Sequence, residues 1–253
     1  MKMFLVKRKI LTAAVCLLLA AGMFYVVNHP AIVGAAAAAR QLPIYCVQRD
    51  QKVLSISFDA AWGNEDTQML IDILGKYKIK ATFFVVGEWV DKYPESVKAL
   101  HDAGHEVMNH SNTHAHMSQL SKDEIIADVE ACNDKIEAVT GVRPTLIRPP
   151  YGEYNDNLVL TAKDCGYFPV EWSVDSLDWK DYGVNSILDM VLKNKELRNG
   201  AIILCHNGAK YTSDALEQLI IGLEDKGYQI VPVSQLIYKD NYHMDVTGRQ
   251  IKD

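Results

Sequence analysis

The chain has 253 residues, of which 49% are hydrophobic and 23% charged, and its formal net charge is −6 at pH 7. This is the composition of a globular protein with one large domain or two small ones. Lysine and arginine form no run in the body of the chain, which argues against a nucleic-acid partner, since phosphate contacts need clustered cations.

The N-terminal segment differs from the rest of the chain. Four lysine or arginine residues within the first nine precede an uncharged, mostly apolar run over residues 10–27. The run has roughly the 20 residues that a helix needs to cross hydrocarbon, and the flanking cations predict an N-terminus that stays in the cytoplasm. Ala37 and Ala39 offer a small-x-small cleavage site. A retained membrane anchor and a cleaved signal peptide are both open, with the anchor favoured, and either places the domain outside the cytoplasm, membrane-anchored or secreted.

From Val53 onward, strand patterns alternate with helical patterns. The strand patterns are short, apolar and rich in β-branched residues, and the segments between them carry apolar residues at helical spacing. The clearest helix begins with a capping box of Ser121 and Glu124 and ends at Gly141. In chain order the predicted strands are "VLSISF", "ATFFVV", "HEVMNH", "TLIR", "FPVEWSVD", "AIILCH" and "YQIVPV".

Strands that are apolar along their whole length are typical of a parallel sheet covered by helices. About seven such strands, each followed by a helix, predict an α/β fold, a distorted (β/α) barrel that is complete or incomplete. The alternative is an open doubly wound sheet, but no glycine-rich phosphate loop follows the first strand to favour it.

The same patterns divide the chain into four parts. We expect a membrane anchor or signal segment over 1–40, a linker over 41–52, the barrel domain over 53–238 and a loose polar tail over 239–253. The five cysteines follow no metal-ligand spacing, and we expect no disulfide. We also expect a monomer.

Polar side chains stand where predicted strands end. The carboxyl ends of parallel strands open on one face of the fold, and in barrel enzymes the chemistry is done there. A set of polar residues at these ends therefore predicts an active site, or the remains of one. The residues are Asp59, Asn109, His110, Arg148, Asp175 and His206.

Two histidines in "NHSNTHAH" stand four residues apart, at His110 and His114. A helical turn would place both imidazoles on one side, which is a usual beginning of a zinc site. The plainer interpretation is two histidines in a polar loop. His116 is a further candidate for a ligand or a substrate contact.

The remaining candidates supply charge and a proton donor. Arg148 precedes two prolines that restrict the backbone, so its guanidinium is suited to hold a carboxylate. Asp175 and Asp178 are possible partners, and Trp179 is an aromatic wall. His206 is a candidate acid. Together these parts suit a metal-assisted hydrolase.

Five motifs in this order resemble the polysaccharide deacetylases of carbohydrate esterase family 4, the NodB homology domain. They are "SFDAAW", "HSNTH", "RPPYG", "DSLDW" and "LCH". The likeness covers residues 53–236, and the family's distorted barrel agrees with the predicted fold. The N-terminal segment and the form "FDAAWG" resemble the sporulation-associated branch.

The resemblance implies which residues are the general base, the metal ligands and the residues that position the base. Asp59 would be the general base, and His110 and His114 would bind a divalent metal, zinc in the first place. Arg148 would hold Asp59 by charge-assisted hydrogen bonds. Asp175 would position Arg148.

The resemblance also implies how the substrate binds. The backbone N–H of Tyr151 would donate to the oxyanion, and His206 would protonate the departing amine. Trp179 and Leu204 would line the acetyl pocket. The implied reaction is hydrolysis of N-acetyl groups on N-acetylhexosamine units of peptidoglycan or a related polymer.

One residue departs from the family pattern. Ala60 stands where the family has a second aspartate, its third protein ligand to the metal. Water could fill that position, Asp59 could turn to the metal, or a side chain from residues 64–66 could move in. The chain is therefore expected to be a metal-dependent deacetylase. The alternative is a catalytically impaired, glycan-binding member of the same fold. A third hypothesis is an amide hydrolase of the same fold that acts on a small molecule.

Overall fold

The structure is a computed structural model that describes residues 15–25 and 40–253. The chain forms two units, residues 1–40 and residues 41–253. In the first unit, residues 15–25 are helical. Among the described residues, no helix is both long and apolar enough to cross a membrane. The predicted run over 10–27 is described only in part, and Ala37 and Ala39 lie outside the described residues.

The second unit alternates strands and helices, as predicted. The strands are β1 (Cys46–Val47), β2 (Val53–Ala60), β3 (Thr82–Val85), β4 (Glu106–Asn109), β5 (Leu146–Ile147), β6 (Phe168–Pro169), β7 (Val174–Asp175), β8 (Ile202–Asn207), β9 (Gln229–Ile230), β10 (Tyr242–Met244) and β11 (Arg249–Lys252). The helices are α1 (Thr67–Lys76), α2 (Gly87–Lys92), α3 (Pro94–Asp102), α4 (Lys122–Thr140), α5 (Asp156–Asp164), α6 (Val184–Leu192), α7 (Thr212–Asp225) and α8 (Val233–Leu236).

Seven parallel strands form the central sheet in the order β6-β5-β4-β3-β2-β8-β7, and β9 pairs with the start of β2. The sheet curves into a half-barrel surrounded by helices, so the predicted distorted (β/α) barrel is confirmed. Because β2 pairs in parallel with both β3 and β8, its carboxyl end lies at the centre of the sheet edge.

Strand β2 shows how the sequence positions the site. Its residues Leu54, Ile56 and Phe58 belong to the main apolar core. Because side chains alternate along a strand, Ser57 and Asp59 point to the opposite face. Both polar side chains are nevertheless buried, so the fold must supply them with partners.

The helix expected from the capping box is confirmed in detail. Helix α4 begins after Ser121, whose side chain accepts from the backbone N–H of Glu124 while the Glu124 side chain bonds back to Ser121. Gly141 ends the helix with φ of 72°, a left-handed conformation that glycine adopts without a steric penalty. Each of the five cysteines, all within the described ranges, is a free thiol.

The expectation of a loose tail is wrong. Strands β10 and β11 form an antiparallel pair, and β11 also pairs in parallel with β1 in the predicted linker. Gln250 is fully buried, and its amide both donates to and accepts from the backbone of Tyr238. This pairing orders a polar segment that has no apolar signal of its own.

Candidate active site

The carboxyl ends of the parallel strands surround a cleft of about 390 Å³. Eight of the nine residues predicted for the site line it, and Arg148 lies buried directly behind. The lining residues are Asp59, Ala61, Trp62, His110, His114, Tyr151, Trp172, Asp175, Trp179, Leu204 and His206. The strand ends thus bring together residues that are up to 147 positions apart in sequence.

Asp59 and Arg148 form a buried ion pair at the base of the cleft. Arg148 Nη1 donates to Asp59 Oδ1 at 2.7 Å, and Arg148 is fully buried. Burial acts to raise the pKa of Asp59, but Arg148 and then His110 and His206 outweigh it, and the pKa lies below its ordinary value. Asp59 is therefore a carboxylate at neutral pH, the form that a general base requires.

The second terminal nitrogen of the Arg148 guanidinium also has partners. This atom, Nη2, donates to Ser57 Oγ at 2.9 Å and to the carbonyl of Glu171 at 3.3 Å. The guanidinium carbon lies 4.1 Å from the centre of the Phe84 ring. A cation stacked on an aromatic face keeps a fixed orientation. Ser57 and Phe84 follow from the alternation of β2 and β3, although the sequence did not single them out.

Asp175 is expected to position Arg148, but no hydrogen bond or ion pair joins the two side chains within residues 40–253. Asp175 Oδ1 accepts instead from the backbone N–H of Leu177 at 2.8 Å. The bond is local: a carboxylate that accepts from the backbone N–H two residues further on forms an Asx turn. Asp175 still lines the cleft, and its predicted catalytic role is untested.

Glu171 is a site residue that the sequence did not reveal. It is 1% exposed, and its Oε1 has no hydrogen-bond partner within the described chain. Burial raises the pKa of Glu171 to about 8, although Arg148 acts to lower it. A neutral carboxylic acid therefore lies behind the cleft at pH 7. A charged residue in the apolar run "FPVEW" was the available signal.

His110 is oriented by the backbone. Its Nδ1 lies 2.7 Å from the carbonyl oxygen of Arg148, so Nδ1 carries the proton and donates. The unprotonated Nε2 lies 3.5 Å from Asp59 Oδ2. Burial lowers the pKa of His110 below its ordinary value, so the ring is neutral, as metal ligation requires.

His114 lies beside His110, but not through a helical turn. The segment between them is irregular, with left-handed backbone at Ser111 and at His114. The ring centres of the two histidines are 5.1 Å apart. Burial, and then the neighbouring His110, lowers the pKa of His114 to about 4. Two neutral imidazoles thus meet at one wall of the cleft.

The position where the resemblance expects a third protein ligand, residue 60, offers no donor atom. Ala60 is fully buried within the main apolar core. Within residues 15–25 and 40–253, no group of three His, Cys, Asp or Glu side chains is placed to hold a metal ion. The residues present offer two imidazoles and the Oδ2 atom of Asp59, which fits a divalent metal in part.

Two of the three side chains considered as replacements for a ligand at position 60, Asn64 and Asp66, are bonded elsewhere. Asn64 donates to Ser96 Oγ at 2.9 Å. Asp66 Oδ1 accepts from the Asn207 amide at 2.9 Å and from the Gly208 N–H at 2.8 Å. These bonds tie both side chains to other parts of the fold, which disfavours their recruitment as ligands.

The opposite wall holds a histidine whose Nδ1 is bonded to a buried aspartate. His206 Nδ1 lies 2.7 Å from Asp178 Oδ1, and Asp178 Oδ2 accepts from the His206 N–H at 2.7 Å and from Thr212 Oγ1 at 2.6 Å. Burial acts to lower the pKa of His206, but Asp178 outweighs it and the pKa is raised above its ordinary value. Asp178, considered only as an arginine partner, is therefore the partner of the proposed acid.

The remaining predicted residues shape the mouth of the cleft. Tyr151 has φ of 64° and Gly152 has φ of 66°, so the chain turns sharply after the two prolines. The Tyr151 ring packs edge-on to His114 and stacks on His116. Trp179 is 50% exposed at the rim.

The chain matches the family profile described as polysaccharide deacetylase over residues 47–170. A peptidoglycan-N-acetylglucosamine deacetylase of Bacillus cereus is 36% identical over 76% of this chain and 91% of that protein. A peptidoglycan-N-acetylmuramic acid deacetylase of Bacillus subtilis is 40% identical over 75% of this chain. This chain spans 40% of the length of that second protein.

The fold is also similar to solved structures. A wild-type pseudoenzyme of carbohydrate esterase family 4 from Bacillus anthracis has a TM-score of 0.74 at 33% identity, over 83% of this chain and 71% of that chain. A pseudoenzyme mutant with restored enzymatic activity has the same TM-score at 34% identity, over 83% of this chain and 73% of that chain. On the profile, the relatives and the shared fold, the chain belongs to the polysaccharide deacetylase family.

Proposed function

We propose that the chain is a hydrolase that removes N-acetyl groups from N-acetylhexosamine units of peptidoglycan or a related polysaccharide. One observation carries the proposal: a carboxylate held by a buried arginine faces, across one cleft, a histidine held by a buried aspartate. These are Asp59 with Arg148 and His206 with Asp178. The names of the family relatives support the same reaction class.

The arrangement of these side chains supports the following proton path. Asp59 accepts a proton from the attacking water, whose oxygen forms a bond to the acetyl carbonyl carbon. The backbone N–H of Tyr151 donates to the oxyanion that develops. His206, protonated, gives its Nε2 proton to the amide nitrogen. The carbon–nitrogen bond then breaks and leaves acetate and a free amine on the sugar.

Two residues would hold the cofactor. A divalent metal, zinc in the first place, would be bound by His110 and His114 and would polarise the acetyl carbonyl when bound. Ala60 leaves this set one ligand short, so weak metal binding is part of the proposal. The chain is further proposed to act as a monomer on the cell-wall side of the membrane, and a role in sporulation is a prediction only.

A second candidate is a glycan-binding protein with little or no turnover. Ala60 favours it, because a neutral methyl group supplies no metal ligand. The similarity to a carbohydrate esterase family 4 pseudoenzyme supports it as well. Both candidate functions use the same cleft. They differ only in whether His110 and His114 bind a metal that supports hydrolysis.

The test uses residues 41–253, which form one compact unit. Bound metal is measured, and acetate release is assayed on N-acetylglucosamine oligomers and on peptidoglycan. We expect Asp59→Asn to lower acetate release by about 10²–10⁴-fold and His110→Ala to lower both bound metal and release. Asp72→Asn, an exposed aspartate on α1, is the matched control. Absence of metal and of acetate release would reject the enzyme and leave the binding protein.

A further inference from the structure

Trp62 is placed at the cleft by a loop that the family motif does not explain. It follows two alanines after Asp59, is 48% exposed and lines the cleft. Its ring lies on the ring of His206, with centres 5.1 Å apart and planes inclined by 27°. Apolar surface exposed inside a cleft, unlike a single apolar side chain on the outer surface, is typical of a ligand-binding groove.

The loop that carries Trp62 is fixed to the frame that carries His206. The carbonyl of Gly63 accepts from Trp89 Nε1 at 3.1 Å and from the Asn207 amide at 3.3 Å. Gly208 packs so closely that a Cβ atom there would lie 3.1 Å from Gly63 N and O. The loop is thus held from two sides, and Trp62 and His206 keep their relative position.

The reaction geometry brings a sugar ring to this surface. For His206 to protonate the amide nitrogen, its Nε2 must come within roughly 3 Å of that nitrogen. The nitrogen is bonded directly to a carbon of the hexosamine ring. The ring that carries the acetamido group must then lie within contact distance of the indole, which is already stacked on His206.

We propose that Trp62 is a stacking platform for the hexosamine ring whose acetamido group lies at His206, and that it acts as a positioning residue for this unit. The inference rests on the proposed function and specifies its substrate contact. Sugar rings carry faces of C–H groups that pack on aromatic surfaces, and a large rigid ring supplies contact area at little entropic cost. Tyr151 and Trp179, which are 54% and 50% exposed, offer aromatic surface elsewhere around the same cleft.

The test measures binding of an N-acetylglucosamine tetramer to the whole chain by calorimetry, so that it does not depend on turnover. We expect Trp62→Leu and Trp62→Ala to raise the dissociation constant by about tenfold, and Trp62→Tyr, which keeps an aromatic face, to stay within about threefold of the unchanged protein. Where acetate release is measurable, KM should rise by a similar factor while kcat changes less. Met69→Ala, an exposed apolar residue on α1, is the control for surface change.

Each outcome decides between the proposals. If the unchanged chain binds the tetramer and Trp62→Leu binds it equally well, the stacking platform is wrong while the proposed function stands. If the unchanged chain neither binds the tetramer nor releases acetate, both are overturned. Circular dichroism of each variant shows whether the fold is kept, and Trp62→Leu provides the test if Trp62→Ala does not fold.

Discussion

The two walls of the cleft differ in how completely their polar groups are partnered. We call the side with His206 and Asp178 the acid wall and the side with His110 and His114 the metal wall. On the acid wall, Asp178 bonds to the ring and the backbone of His206 and to Thr212, so both carboxylate oxygens of Asp178 are used. On the metal wall, His110 and His114 are neutral and well placed, yet no third donor converges with them in the described part of the chain.

This difference separates two requirements of the reaction. Proton transfer depends on groups that the fold itself fixes and charges, whereas metal binding depends on a full set of ligands. A complete acid wall is therefore compatible with both an enzyme and a binding protein. Asp59 lies at the base of the cleft, where Oδ1 bonds to Arg148 and Oδ2 lies 3.5 Å from His110 Nε2. Four predictions test how independent the walls are.

The largest effect is expected for Arg148→Met. The variant leaves Asp59 as a buried charge without its partner, which costs about 3–5 kcal/mol of unfolding free energy. Equilibrium unfolding in urea measures the loss. Arg143→Met is the matched control: Arg143 pairs with Glu130, Asp134 and Glu137 at the surface, where ion pairs contribute about 0–1 kcal/mol. Equal losses in the two variants would contradict a special role for the buried pair.

Asp178→Asn should disable the acid wall alone. Without the carboxylate, the pKa of His206 should fall, and acetate release should drop by about 10²–10⁴-fold while bound metal is unchanged. Because the folded pKa is raised, the pair stabilises the fold below the ordinary pKa and loses that contribution as pH rises through the folded value.

Titration of His206 by nuclear magnetic resonance checks the Asp178→Asn prediction without requiring activity. Glu153→Gln is the control, since Glu153 lies 2.8 Å from His116 in an exposed pair and its loss should leave His206 unchanged. A His206 pKa that does not move in Asp178→Asn would show that the hydrogen bond does not govern its charge.

Glu171→Gln should remove a dependence of the unfolding free energy on pH that arises from the buried Glu171 carboxyl group. Since burial raises the folded pKa to about 8, the folded state binds more protons than the unfolded state at pH 5–8. Unfolding free energy should therefore fall as pH rises, by up to about 1.4 kcal/mol per pH unit, and the variant should lose this slope. Thermal unfolding between pH 5 and pH 9 compares it with Glu88→Gln, an exposed control. If the unfolding free energy of Glu171→Gln and of Glu88→Gln changed equally with pH, Glu171 would be ionised in the folded protein.

Of the four variants, Ala60→Asp is expected to change the stability of the fold least. It should also gain metal affinity. A buried carboxylate needs a compensating cation, so the variant should melt lower than the unchanged protein without zinc and recover when zinc is added. We expect zinc affinity to rise at least about tenfold, since a third ligand completes the usual set. Ala60→Asn controls for size. An unchanged affinity with a lower melting temperature would show that position 60 does not reach the metal wall.

The sequence predicted the barrel and the residues at its strand ends because both depend on local patterns. Apolar strands followed by helices leave few other arrangements, and parallel strands must bring Asp59, His110 and His206 to one edge. The family resemblance added the expected roles of these residues, and the structure shows no direct bond between Asp175 and Arg148.

What the sequence could not reveal depends on local turns and on distant partners. Asp178 reaches His206 whereas Asp175 bonds to a nearby backbone N–H, and no spacing rule distinguishes the two aspartates. Strands β10 and β11 are polar, and they are ordered by pairing with β1, about 200 residues away in the chain. Burial of Glu171 is a property of the packed barrel, not of its neighbours in sequence.

The parallel pairing of β1 with β11 also has a mechanical consequence. The backbone N–H of Tyr45 donates to Gly248 and that of Gln48 donates to Gln250, so the first strand of the folded unit is bonded alongside its last. Because the two strands run in the same direction, pulling the unit by its opposite ends draws them past each other. Such a force acts on all of these hydrogen bonds at once, in shear. They must therefore break before the force can unfold the barrel.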